Sequence, residues 1–188
     1  MAVLPDVEPD CVVPRHNGEW TVDEILQLPE DNGSRVELVD GALIVSPAPT
    51  WQHQRILQAL QRGLWDAVGP DAELSPGINI RLGQPRLLIP DLAVVTCPGQ
   101  DFVYGTAADL LLAIEIESPS TKVHDRVLKR QLYADAEVPY YLLVNPAAAP
   151  IESTLYELRD EEYHEITRSA AGKLTLTRPF AAIVDLGG

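Results

Sequence analysis

Apolar residues recur along this chain at two periods, and the period predicts the element. Trp20-Thr21-Val22-Asp23-Glu24-Ile25 reads as the start of a short helix. Thr21 can cap it, Glu24 three residues on can close a capping box, and Trp20 and Ile25 can form a hydrophobic staple. Apolar stretches at 36–39 and 42–45 flank Asp40-Gly41, the signature of a tight hairpin. Behind Thr50 as cap, Ile56, Leu57, Leu60, Leu64 and Trp65 recur at helical spacing and predict a helix over 51–68 with one core-facing stripe. Gly69-Pro70 ends it. Strands are expected at 77–82, 87–95 and 110–117. The runs Leu87-Leu88-Ile89 and Leu110-Leu111-Leu112-Ala113-Ile114 suit central strands buried on both faces. A helix from 120 or 121 to 136, a strand at 140–144 and short strands at 154–158, 163–166 and 174–177 complete the reading. This order predicts an α/β (α+β) fold, a sheet with helices packed on it. Residues 1–19 hold three prolines and no periodicity and read as an arm, which leaves 20–188 as one domain.

Composition narrows the function. The 188 residues carry 14 Lys and Arg against 28 Asp and Glu, a net charge of −14. Proteins that bind nucleic acid passively draw most of their affinity from phosphate neutralisation, so this balance argues against one. It suits an enzyme that gathers carboxylates around a cation. Two cysteines, Cys11 and Cys97, are too few for a disulfide framework or a cysteine zinc site, so a reducing cytoplasm is the expected compartment. No apolar run approaches the roughly 18 residues of a membrane helix, and no signal pattern opens the chain, so no membrane is expected.

Charges fall where burial is predicted at two places. Asp91 follows Pro90 within Ile89-Pro90-Asp91-Leu92-Ala93-Val94-Val95, and Glu115 interrupts Ala113-Ile114-Glu115-Ile116-Glu117. Alternation puts Ala113, Glu115 and Glu117 on one strand face, and Asp91, Ala93 and Val95 on one face of theirs. On neighbouring strands, two carboxylates about 5 Å apart repel by roughly 3 kcal/mol at an effective dielectric near 20. A shared proton, an Arg or Lys, or a divalent cation must offset that, and an all-oxygen donor set favours Mg²⁺, Mn²⁺ or Ca²⁺ over zinc. The alternative is a solvent-facing strand carrying Glu115 and Glu117, with Asp91 opening a loop. Further on, Asp125, Lys129 and Tyr133 are spaced i, i+4, i+8. The window 121–133 holds Lys122, Arg126, Lys129 and Arg130 against Asp125, a net +3 in an acidic chain and the natural place for an anionic substrate. Taken alone, Asp125 and Lys129 could equally be an exposed helix pair contributing about 0.3–0.5 kcal/mol.

Six segments then stand in order. They are Glu37-Leu38-Val39-Asp40-Gly41, a helical His53, Pro90-Asp91-Leu92-Ala93-Val94-Val95, Glu115-Ile116-Glu117-Ser118-Pro119-Ser120-Thr121, Asp125-Arg126 with Lys129 and Tyr133, and Tyr140-Tyr141-Leu142-Leu143-Val144-Asn145-Pro146. Together they resemble the Uma-two family of "putative restriction endonucleases", a bacterial branch of the PD-(D/E)XK nuclease superfamily, over about 20–158. The resemblance implies a restriction-endonuclease-like core with a central mixed sheet flanked by helices. It implies Asp91 and Glu115 as the superfamily's two acids and ligands to Mg²⁺, with Mn²⁺ as substitute, and Lys129 as its lysine, supplied from the following helix. Glu37 matches the hairpin acid. His53, Asp125 and Tyr133 are accessory positions, and Lys122, Arg126 and Arg130 would meet the substrate. Glu117 stands where the superfamily has lysine, a departure that would add a metal ligand or weaken the lysine's role. The implied activity is metal-dependent phosphodiester hydrolysis, most simply in DNA, by a homodimer. Two other readings stay open: a catalytically silent binding or scaffold dimer of the same fold, and a metal-free hydrolase using Asp91 and Glu115 as acid and base on a glycoside. Eleven aromatic residues (three Trp, six Tyr, two Phe) make a sugar cleft the weaker choice.

Overall fold

The computed structural model describes residues 14, 16–28, 35–118 and 124–187, apart from the side chains of 124–126. Two sheets carry the molecule. A six-stranded mixed sheet runs β11-β10-β9-β8-β6-β3, and a five-stranded sheet runs β2-β1-β5-β4-β7. In the larger sheet β3 is Glu73–Pro76, β6 Leu92–Val95, β8 Leu110–Ile116, β9 Tyr140–Asn145, β10 Glu152–Arg159 and β11 Glu162–Arg168. In the smaller, β1 is Arg35–Val39, β2 Ala42–Ser46, β4 Ile80–Arg81, β5 Leu87–Leu88 and β7 Gly105–Thr106. A hairpin of β12 (Lys173–Leu176) and β13 (Ala182–Asp185) stands apart from both.

β8 and β9 are parallel, with Glu115 beside Leu143. A parallel pair needs a crossover, and the helical segment between them supplies it. Helix α2 (Trp51–Leu64) buries Ile56, Leu60 and Leu64 with Leu92, Val94, Leu112 and Ile114 on one face of the large sheet, and β12–β13 closes that layer. The opposite face packs Ala93, Ala113 and Tyr141 against Tyr133 of α3 (Arg130–Asp135) and Ile80 and Leu88 of the small sheet. Alternation on β8 decides this division: Ile114 and Ile116 go one way, Ala113 the other.

Local chemistry behaves as the residues demand. Thr21 caps α1 (Val22–Ile25) in a full capping box with Glu24, and Trp20 packs in the same small core as Ile25. The β1–β2 turn holds Asp40 at φ 48° and Gly41 at φ 82°, the doubly left-handed geometry that Asp-Gly tolerates.

Four expectations need correction. The run 87–95 is two strands, β5 and β6, in different sheets, because Pro90 has no N–H to continue a ladder. The strand expected at 77–82 shrinks to β4, while β3, unforeseen, pairs with β6. The α2 stripe stops at Leu64, and Trp65, read as core, is 68% exposed. The crossover helix, expected to be α throughout, opens in its described part with a π-helical turn, His124–Lys129, before α3.

Candidate functional site

Register brings the two acids together. Leu92 pairs with Ile114 and Ala93 with Ala113, and one step further sets Asp91 opposite Glu115. Both are buried, at 3% and 2% exposure. Asp91 Oδ2 accepts the backbone N–H of Ile116 at 2.8 Å, which ties the start of β6 to the end of β8. Oδ1 accepts from Arg35 Nη1 at 2.6 Å and lies 3.3 Å from His53 Nε2. Burial works to raise the Asp91 carboxyl, yet the His53 bond and the Arg35 charge outweigh it and hold its pKa at about 2. It is therefore an anion at neutral pH.

Each partner arrives by its own route. Arg35 and Glu37 share a face of β1. Arg35 also donates to the Ile89 carbonyl at 3.2 Å, and Glu37 Oε1 accepts the Ile89 N–H at 2.8 Å. These bonds anchor the turn where the chain leaves one sheet for the other, just before Pro90. Burial opposes the charge on Arg35, but Asp91, Glu115 and Glu37 around it raise its pKa further. His53 sits in the first turn of α2, whose Thr50 cap accepts the His53 N–H.

Lys129, 7% exposed, closes the cluster from the opposite wall. Its Nζ donates to Glu37 Oε1 at 2.9 Å and to both oxygens of Glu115 at 3.1 and 3.2 Å. One turn on, Tyr133 donates its hydroxyl to Glu115 Oε1 at 3.0 Å. Burial, with the charges of Glu115 and Glu37, pushes that phenol well above its ordinary range, so it stays a donor. The π-helical turn ending at Lys129 is a form that recurs at functional sites.

Of the residues singled out by sequence, Glu37, His53, Asp91, Glu115, Lys129 and Tyr133 converge. Glu117 is buried beyond Glu115 at 2% exposure. Arg130 points elsewhere, its guanidinium 5.4 Å from the Tyr156 ring centre. Lys122 and the side chains of Asp125 and Arg126 lie outside the described residues. Arg35 was not foreseen: it stands just ahead of the strand expected at 36–39, and β1 extends one residue further to include it.

Asp91 and Glu115 are the residues that could hold a hard divalent ion. Asp91 and Glu115 are ionisable oxygen donors opposite one another on adjacent strands, and Mg²⁺ commonly takes one or two carboxylates and keeps its remaining waters. Among the described residues, no three His, Cys, Asp or Glu form a ready-made cage. No helix among the described residues is long and apolar enough to cross a membrane.

A central mixed sheet with helices on its faces, carrying acids at facing strand ends, defines a restriction-endonuclease-like fold. The fold is shared with a solved structure described as a putative nuclease belonging to DUF820 from Anabaena variabilis ATCC 29413. That chain has a TM-score of 0.62 and 22% identity, over 78% of this chain and 84% of its own. Residues 22–183 match the model of the Uma2 family, described as "Putative restriction endonuclease", and the chain belongs to that family. No curated protein matches it.

Proposed function

We propose that this protein is a Mg²⁺-dependent endonuclease that hydrolyses phosphodiester bonds in DNA. The observation that carries the reading is the buried Asp91–Glu115 pair, with Lys129 bonded to Glu115 and to Glu37 beside it. Family membership supports the same class of reaction. Asp91 and Glu115 would hold the ion, and Glu117 is a further candidate ligand. The bound ion would polarise a phosphoryl oxygen and lower the pKa of a water.

The protein's own groups supply the rest. Arg35 and His53 fix Asp91, and the Ile116 N–H pins its second oxygen. Tyr133 holds Glu115 in its rotamer. Lys129 would orient the attacking water and offset negative charge that develops at phosphorus. The molecule would work in the cytoplasm as a homodimer, because cutting both strands of a duplex takes two such sites.

The test is nicking of supercoiled plasmid in Mg²⁺ and in Mn²⁺, wild type beside Asp91→Ala and Glu115→Ala. Wild type is expected to nick, and both variants to lose at least 100-fold in rate while keeping the native circular dichroism. Activity surviving in both variants would overturn the site. A folded wild type with neither cleavage nor ion binding would leave the silent scaffold as the better reading.

A further inference from the structure

Beside the acidic cluster lies a pocket of about 370 Å³, lined in part by Arg130, Asn145, Glu152, Thr154, Tyr156 and Arg168. This volume lies within the range of small-ligand sites. Register fixes its relation to the cluster. Glu115 pairs with Leu143, Leu143 with Thr154, and Thr154 with Arg168, so one row runs from the acids across β9 and β10 to β11 on a single face of the sheet. At about 4.8 Å per strand, the far end of that row is roughly 14 Å from Glu115, or about four base-pair rises of 3.4 Å. The crossover helix forms the wall between the two sites: Lys129 turns to Glu115, and its neighbour Arg130 turns to the pocket.

The lining is chemically mixed. Arg130 lies over the Tyr156 ring, a planar cation set against an aromatic face. Asn145 offers an amide donor, its oxygen already accepting the Ala147 N–H at 3.1 Å; Thr154 offers a hydroxyl and Glu152 a carboxylate acceptor. Arg168 is tied to Glu165 at 2.6 Å, which reduces its pull on an anion. A phosphate needs donors only and is repelled by Glu152. The edge of a nucleobase needs donors and acceptors together, and its flat face suits a guanidinium or tyrosine ring.

We infer that this pocket receives an unpaired nucleobase of the substrate strand, a few nucleotides from the cleaved bond. The inference rests on the nuclease reading for its substrate and gives that reading a source of base preference.

The test is fluorescence anisotropy of the full chain with 5′-labelled six-residue DNA single strands: the four homopolymers and an abasic control. Wild type is expected to bind at least one homopolymer tenfold or more tighter than the abasic strand. Glu152→Gln, at an exposed position, and Asn145→Ala are each expected to cut that preference at least threefold, and Asp91→Ala to leave it in place. Equal affinity for all five strands would show a phosphate track only and overturn the inference, as would the absence of measurable binding by folded protein. Base preference without plasmid nicking would leave the pocket standing and remove the nuclease reading instead.

Discussion

Asp91 shows how one buried carboxylate ties stability to the chemistry. Its folded pKa of about 2 lies below the ordinary 3.8, because His53 and Arg35 favour the anion more than burial disfavours it. A depressed folded pKa adds stability that is fully present above pH 3.8 and is lost as pH falls through about 2. The shift corresponds to a contribution on the order of 2 kcal/mol. Asp91→Asn keeps the shape and removes the charge, so it is expected to be less stable than wild type by about that much at pH 6. The gap should close between pH 4 and 2 in urea titrations run at several pH values, and a gap independent of pH would show that the ion pair contributes nothing. Lys129→Met is a harsher change at the same scale. It strips the ammonium from two buried carboxylates, Glu37 and Glu115, and should cost about 3–5 kcal/mol by the same measurement, together with cleavage. Most of this cluster was legible residue by residue, because Asp91 and Glu115 are charges inside apolar runs and Lys129 and Tyr133 are one helical turn apart. Arg35 was not. A single arginine ahead of a strand looks like a solvated charge, and only the tertiary approach of β1 to the Ile89-Pro90-Asp91 turn gives it a partner.

At the scale of elements, periodicity found most of the longer strands, missed the short β3, β7 and β13, and misread the run that changes sheets. Residues 87–95 are apolar nearly throughout, so nothing but Pro90 marks the crossing from β5 to β6. β13 escaped notice because four alternating residues near the end of a chain resemble a loop, and α2 is what gives them a surface to cover. That contact makes a prediction. Gly63 of α2 sits so close to β13 that an added Cβ would stand 2.9 Å from Val184 Cγ2, 3.0 Å from its Cα and 3.1 Å from the Ile183 carbonyl. In an open helix Gly→Ala gains about 1 kcal/mol. Here overpacking against backbone costs about 1–3 kcal/mol, so Gly63→Ala is expected to be net destabilising by about 1 kcal/mol. A variant that melts higher than wild type would mean that the hairpin can shift to admit a methyl group.

At the scale of the whole molecule, the polar cluster is also a joint. Arg35 and Glu37 belong to the small sheet, Asp91 and Glu115 to the large one, and Lys129 to the helix that crosses between β8 and β9, so each ion pair spans two layers. An ion held there would bind only the folded protein and would stabilise it by mass action, about 2.7 kcal/mol at a concentration one hundred times its Kd. For a chain of this length that is roughly 5–11 °C in melting temperature. Wild type is therefore expected to melt higher in saturating Mg²⁺ than in chelator, and Asp91→Asn to show no such rise. Because the chain carries −14 overall, loosely held ions could screen its surface and mimic the effect. Such screening would follow ionic strength, so NaCl at matched ionic strength separates the two. A rise that NaCl reproduces, or that survives Asp91→Asn, would place the ion outside this joint and return the fold to the scaffold reading.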